Sequence, residues 1–114
     1  MKLVFFETPV FTRLLPEYLD DKEYRALQLA LLENPELGDL MPGTGGFRKM
    51  RWKDPRRGRG KRGGLRVIYY HLTTDHRVWF FSLYDKDEAP DLSADEKKLL
   101  KQAIQKELAA RREK

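Results

Sequence analysis

Two neighbouring apolar segments constrain the fold of this chain more than any other feature. Residues 65–72 read LRVIYYHL and residues 77–84 read RVWFFSLY, and only the polar stretch TTDH separates them. Both segments are rich in β-branched and aromatic residues, which favour strands. Each is apolar on both faces, which is typical of strands inside a sheet. The sequence therefore predicts two adjacent antiparallel strands at the centre of a sheet.

Two further segments have the pattern of strands. Residues 2–6 read KLVFF and end at a Thr-Pro pair. Residues 47–53 alternate, so Phe47, Lys49 and Arg51 share one face of a predicted strand. The short links between 47–53 and the two apolar segments predict an antiparallel meander of three strands.

Three segments predict helices. Apolar residues within 10–19 have helical spacing, which we expect Pro16 to interrupt. Asp20 with Glu23 forms the pattern of a capping box and opens a helix that ends near residue 34. Ser93 with Glu96 opens the last helix in the same way.

This order of elements predicts an α+β fold, a small twisted antiparallel sheet with helices packed on one face. At 114 residues we expect a single domain spanning 1–114. The chain has no cysteine, which excludes a disulfide, a thiolate metal site and a cysteine nucleophile. Because it also has only two histidines, we expect no metal and no cofactor. The apolar start is too short for a secretion signal or a membrane span, which predicts a cytoplasmic protein.

Positive charge is concentrated in one glycine-rich segment. Residues 43–66, GTGGFRKMRWKDPRRGRGKRGGLR, hold ten Lys or Arg and one acid, Asp54. The whole chain carries +5, so the remaining residues sum to −4. Such a run is usually a solvated loop, but here it extends onto predicted strands through Lys49, Arg51 and Arg66. A fixed cationic face with Phe47 and Trp52 among the cations suits a phosphodiester backbone with stacked bases.

A second candidate for function follows the last strand, in LYDKDEAPDLS at 83–93. Tyr84 and Lys86 stand at the rim of the predicted sheet, although a tyrosine there more often serves packing. The glycines at 58, 60 and 63 match GxGxxG, but they precede a strand and open no helix, so a dinucleotide site is rejected. His71 is more simply a core or edge residue than a catalytic one.

Several motifs in order resemble one family. They are GTGGFRKMRW at 43–52, GRGKRGGLRVIYY at 58–70 and SLYDKDEAPDLS at 82–93, with FFETPVF at 5–11 and NPELGDLMPGTGG at 34–46. The ordered set resembles the HigB-type toxins of the RelE/ParE toxin–antitoxin superfamily over about residues 2–100. The resemblance implies a microbial-ribonuclease-like fold.

The resemblance also implies an activity and partners. Members of this family enter the A site of the 70S ribosome and cut mRNA there. They are held inactive by an antitoxin, here expected to be a HigA-type helix-turn-helix protein, through which alone the toxin would meet operator DNA. Such cleavage needs a base for the 2′-OH, cations for the developing phosphorane and an acid for the 5′-oxygen.

Site residues follow from the motifs. The expected catalytic residues are Arg66 on the scissile phosphate, Lys49 and Arg51 for charge stabilisation, and Tyr84 and Lys86 for orientation or as acid. Lys49, crowded by arginine, is also the candidate base. The expected RNA-binding residues are Arg48, Lys53, Arg56, Arg57, Arg59, Lys61 and Arg62. Asp85 departs from the small residue common in the family, and would either lower activity or act as an extra acid–base group. A ParE-like gyrase inhibitor without nuclease activity and a catalytically weak RNA-binding relative stay open as alternatives.

Overall fold

The computed structural model describes residues 2–53, 64–73, 76–87 and 92–112. Within them lie the strands β1 (Val4–Glu7), β2 (Asp39–Leu40), β3 (Arg48–Trp52), β4 (Leu65–Leu72) and β5 (Arg77–Asp85). The helices are α1 (Pro9–Tyr18), α2 (Asp21–Glu33) and α3 (Ala94–Arg112). The predicted α+β class is confirmed. None of the described helices is both long enough and apolar enough to cross a membrane.

The five strands form one sheet in the order β1-β5-β4-β3-β2. The β3, β4 and β5 strands are the predicted antiparallel meander, with β4 at the centre. A register shift lies in the β4–β5 ladder next to Ile68 and Tyr69. One detail of the prediction is corrected, because β1 pairs with β5 in parallel and the sheet is mixed. The segment between α2 and β3, where the sequence indicates no strand, contains the short strand β2, which pairs with β3 at the sheet edge.

Helices cover both faces of the sheet, not one face as predicted. On the first face, α1 and α2 bury Phe11, Leu27 and Leu31 against alternating residues of β4 such as Val67 and Tyr69. Phe11 stacks on Phe80 with 4.8 Å between the ring centroids. This face holds the larger of the two apolar clusters of the described residues.

The second face carries its own apolar cluster under α3. Ile104 of α3 is buried against Ile68 and Phe47, and Phe47 meets Phe81 edge to face at 4.6 Å. The physical reason for the correction is the two-sided apolar pattern of β4 and β5. Helices on one face alone would leave these side chains in water, at a cost of about 25 cal/mol per Å² of apolar surface.

Local signals fix the helix ends. Asp20 Oδ1 accepts from the Glu23 amide at 2.8 Å while Glu23 Oε1 accepts from the Asp20 amide at 2.9 Å, which confirms the predicted capping box. Ser93 and Glu96 make the same pair of contacts at α3. Pro16 does not interrupt α1, because it lies in the last turn of a helix that ends two residues later.

A cationic cleft on the sheet face beside α3

The face that α3 covers also bears an open cleft of about 550 Å³. It is built from β3, β4, the end of β5 and the segment that leads into β2. Its lining comprises Leu37, Asp39, Lys49, Met50, Arg51, Trp52, Arg66, Tyr84 and Lys86. All five residues predicted to be catalytic are therefore brought together in one cleft, although they come from segments up to 37 positions apart in the chain.

Three of these residues form a row across the sheet. Arg51 of β3 lies directly opposite Arg66 of β4, which in turn lies opposite Tyr84 of β5. Directly opposed residues on one face have Cβ atoms about 5 Å apart, so the three side chains reach a common space. Lys49 stands two residues from Arg51 on the same face. Arg66 is half-buried, and its guanidinium also donates to the Leu65 carbonyl at 3.1 Å.

The cleft is electropositive because several cationic side chains converge in it. Among the described lining residues, four carry positive charge and Asp39 alone carries negative charge. Like charges placed directly opposite each other in a sheet are destabilising. A bound phosphodiester would relieve the repulsion between Arg51 and Arg66. The arrangement is therefore suited to an anionic ligand with two or more phosphate oxygens to contact.

Asp85 supports the end of β5 from outside the cleft. Its side chain is fully buried, and its Oδ1 accepts from the Asp87 amide at 2.8 Å. The neighbouring Lys86 amide donates to the Gly64 carbonyl at 3.0 Å. These contacts fix the turn that carries Lys86. Because Asp85 does not line the cleft, its position fits a structural role better than the acid–base role considered from sequence.

The glycine-rich loop before β3 is held by a buried threonine. Thr44 Oγ1 donates to the Met41 carbonyl at 2.7 Å and accepts from the Phe47 amide at 3.1 Å. Gly45 and Gly46 have φ of +78° and +119°, which side-chain-bearing residues rarely adopt. A Cβ on Gly46 would lie 3.0 Å from the Tyr70 ring. The GTGG motif therefore serves close packing at the start of β3.

A second buried network holds the rim of the cleft opposite Lys86. The hydroxyl of the fully buried Tyr69 donates to the Pro35 carbonyl at 2.8 Å and accepts from the Gly38 amide at 2.9 Å. Burial raises the pKa of Tyr69, so the hydroxyl keeps its proton. Arg48 donates to the Gly38 carbonyl at 2.7 Å and pairs with Glu36 at 3.5 Å.

Sequence reasoning missed Leu37 and Asp39, which this network presents to the cleft. A two-residue strand has no period to detect, so only the NPELGDL motif at 34–40, which contains both residues, pointed to this segment. The buried network is invisible in sequence because it joins residues about 30 positions apart.

The predicted RNA-binding residues are distributed differently from the catalytic ones. Arg48 belongs to the first face of the sheet and is engaged by the Gly38 carbonyl and Glu36, so it does not line the cleft. Lys53 is exposed at the end of β3, beside Leu19 and Glu23 of the other face. The remaining predicted RNA contacts lie outside the described residues: Arg56, Arg57, Arg59, Lys61 and Arg62.

The aromatic residues within the basic segment have separate roles. Phe47 is fully buried and cannot stack on a base, contrary to the expectation from sequence. Trp52 is half-buried and lines the cleft. His71 lies away from the cleft, opposite Val78, with its Nε2 buried and without a hydrogen bond to any described residue. Burial lowers the pKa of His71, in line with its interpretation as a core or edge residue.

Comparison with known proteins supports the fold. The sequence matches no family model. A mutant of the E. coli toxin RelE in the free state superposes with a TM-score of 0.54 at 14% identity, over 78% of this chain and 88% of RelE. The intact E. coli RelBE toxin–antitoxin complex contains a chain that superposes with a TM-score of 0.53 at 13% identity, over 74% of this chain and 96% of that one. The protein therefore shares the fold of E. coli RelE.

Proposed function

We propose that this protein is the toxin of a toxin–antitoxin module and acts as a ribosome-dependent endoribonuclease of the HigB type. The observation that carries the proposal is the row formed by Arg51, Arg66 and Tyr84 inside a cationic cleft. The motifs shared with HigB-type toxins supply the same residues. The likeness in fold to E. coli RelE, a toxin found in complex with an antitoxin, agrees with this assignment.

The cleft contains the groups that RNA cleavage requires. Attack of the 2′-OH on the adjacent phosphate builds negative charge on the phosphorane oxygens, which fixed cations stabilise. Arg66 holds the centre of the row, where it contacts the scissile phosphate, and Arg51 contacts the same group from the neighbouring strand. Lys49 is the candidate base for the 2′-OH. Tyr84 or Lys86, at the other end of the row, would donate a proton to the 5′-oxygen.

Partners follow from the same proposal. The cationic face meets mRNA in the A site, and the basic segment at 54–63 adds contacts to ribosomal RNA. A HigA-type antitoxin would block the cleft and would be the sole link to operator DNA. The gyrase-inhibitor alternative uses no nuclease centre, so the convergence of five candidate catalytic groups favours cleavage over binding alone.

A variant of Arg66 tests the proposal. Arg66→Ala should lower mRNA cleavage by about 100-fold or more, which is the usual effect of removing one group that stabilises an oxyanion. It should also abolish growth arrest while the thermal unfolding midpoint stays near that of the parent. Arg25→Ala, on the exposed side of α2, is the matched control and should keep full activity. A folded Arg66→Ala protein with parental activity would contradict the proposed role.

A further inference from the structure

Asp39 places a carboxylate inside the cationic cleft. It is the sole acid among the described residues that line the cleft, and it is exposed. Its direct cross-strand partner is Lys49, so the two side chains emerge on the same face with Cβ atoms about 5 Å apart. A negative charge here opposes the binding of phosphate and requires a separate explanation.

The segment that carries Asp39 is rigidly held. Tyr69 and Arg48 make three hydrogen bonds to the backbone of Pro35 and Gly38, at 2.7 to 2.9 Å. Gly38 sits so close to β3 that a Cβ there would lie 3.0 Å from the Lys49 carbonyl carbon. This packing fixes Leu37 and Asp39 before any ligand arrives, which is the property of a prepared binding subsite.

Asp39 lies at a distance from the phosphate-binding row. β2 is two strands away from β4 in the sheet, which is about 10 Å, and Asp39 is level with Lys49 whereas Arg66 is level with Arg51, about 7 Å further along the strands. Asp39 and Arg66 are therefore about 12 Å apart along the sheet. A nucleotide extends from a charged phosphate to an uncharged base. With the phosphate between Arg51 and Arg66, the part that can approach a carboxylate is the base. Leu37, which is 45% exposed and lines the same end, offers an apolar surface for the base to pack on.

We propose that Leu37 and Asp39 form a nucleobase subsite that selects guanine. This inference rests on the proposed function and adds a substrate preference to it. A carboxylate only accepts hydrogen bonds and can accept two at once. Among the four RNA bases, guanine alone presents two adjacent N–H donors on its Watson–Crick edge, N1–H and the N2 amino group. The other bases offer Asp39 a single donor next to an acceptor.

Direct binding tests the inference without requiring cleavage. The dissociation constants of the 3′-monophosphates of guanosine, adenosine, cytidine and uridine would be measured by titration calorimetry or NMR for the parent, Asp39→Asn and Glu33→Gln. Glu33, exposed at the end of α2, is the control for loss of one negative charge. We expect the parent to favour the guanosine nucleotide by about tenfold or more, the scale of a good bidentate contact. Asp39→Asn should lose that preference, and Glu33→Gln should keep it.

Two results would overturn the inference. One is a parent protein that binds the four nucleotides equally. The other is an Asp39→Asn protein whose affinity rises by the same factor for all four nucleotides, because Asp39 would then act only by repelling their phosphate groups. Codon-resolved mRNA cleavage by the same variants separates the two proposals. Cleavage without a dependence on guanine contradicts the subsite alone, whereas guanine-selective binding without cleavage contradicts the nuclease alone.

Discussion

Tyr69→Phe should destabilise the protein because it removes the hydrogen bonds that hold the segment at the rim of the cleft. The substitution removes one hydroxyl that serves both the Gly38 amide and the Pro35 carbonyl, in a site where Tyr69 is fully buried. A typical hydrogen bond contributes about 0.5–1.5 kcal/mol, and a buried group left unsatisfied costs about 1–3 kcal/mol. Some of this cost is offset because the phenol no longer has to be desolvated. We therefore expect a loss of about 2–3 kcal/mol in the free energy of unfolding.

Urea denaturation with two spectroscopic probes is the appropriate assay. With a slope of about 1–3 kcal/mol per M, the expected loss moves the midpoint by about 0.7–3 M while the slope stays constant. Tyr70→Phe is the matched control, because Tyr70 is half-buried and its hydroxyl makes no hydrogen bond to another described residue. It should change stability by less than about 0.5 kcal/mol. Equal, small effects of the two substitutions would refute the claim that Tyr69 holds the 35–39 segment.

Two further predictions concern pH and salt. Burial lowers the pKa of His71 in the folded state, so below pH 6.5 the unfolded chain binds a proton that the folded chain does not, and stability falls as the pH falls. When the urea midpoint is measured above and below pH 6.5, it should fall less for His71→Gln than for the parent protein. If the midpoint of His76→Gln falls by the same amount as that of His71→Gln, His71 is not the group responsible. Neutralising Arg56, Arg57 and Arg59 together should weaken ribosome binding and reduce the slope of log K against log salt by about 2 to 3, and an unchanged slope would mean that these residues make no phosphate contact.

The elements that the sequence predicts well are those specified locally. The β4 and β5 strands are continuous apolar runs, and the two capping boxes lie within four residues each. The parallel pairing of β1 with β5 could not be predicted in this way. It joins residues more than 70 positions apart, and its register follows from packing such as the stacking of Phe5 on Phe80.

The two-sided apolar pattern of β4 already indicates that a helix such as α3 must cover the second face of the sheet. Ile68 and Tyr70 alternate with Val67 and Tyr69 along β4, so both faces require cover by helices. The prediction of helices on one face took no account of that requirement.

The candidate site also combines residues that local motifs identify with residues whose position depends on distant parts of the chain. Arg66, Tyr84 and Lys86 were identified through motifs, and cross-strand register accounts for their convergence. Asp39 lies within a recognised motif, but its place in the cleft depends on Tyr69 and Arg48 from other strands, and no local pattern shows that. Phe47, by contrast, was predicted to belong to the site but does not. Its neighbours in the basic segment suggested an aromatic for base stacking, but the second apolar cluster buries it.

We propose that the cationic cleft cuts mRNA on the ribosome. Primer extension on a defined mRNA incubated with the purified protein, with and without translating ribosomes, tests this activity, with Arg66→Ala as the inactive control. We expect cuts only when ribosomes translate, in register with the A-site codon, and none with Arg66→Ala. Growth arrest by a protein that makes no cuts under either condition would contradict it.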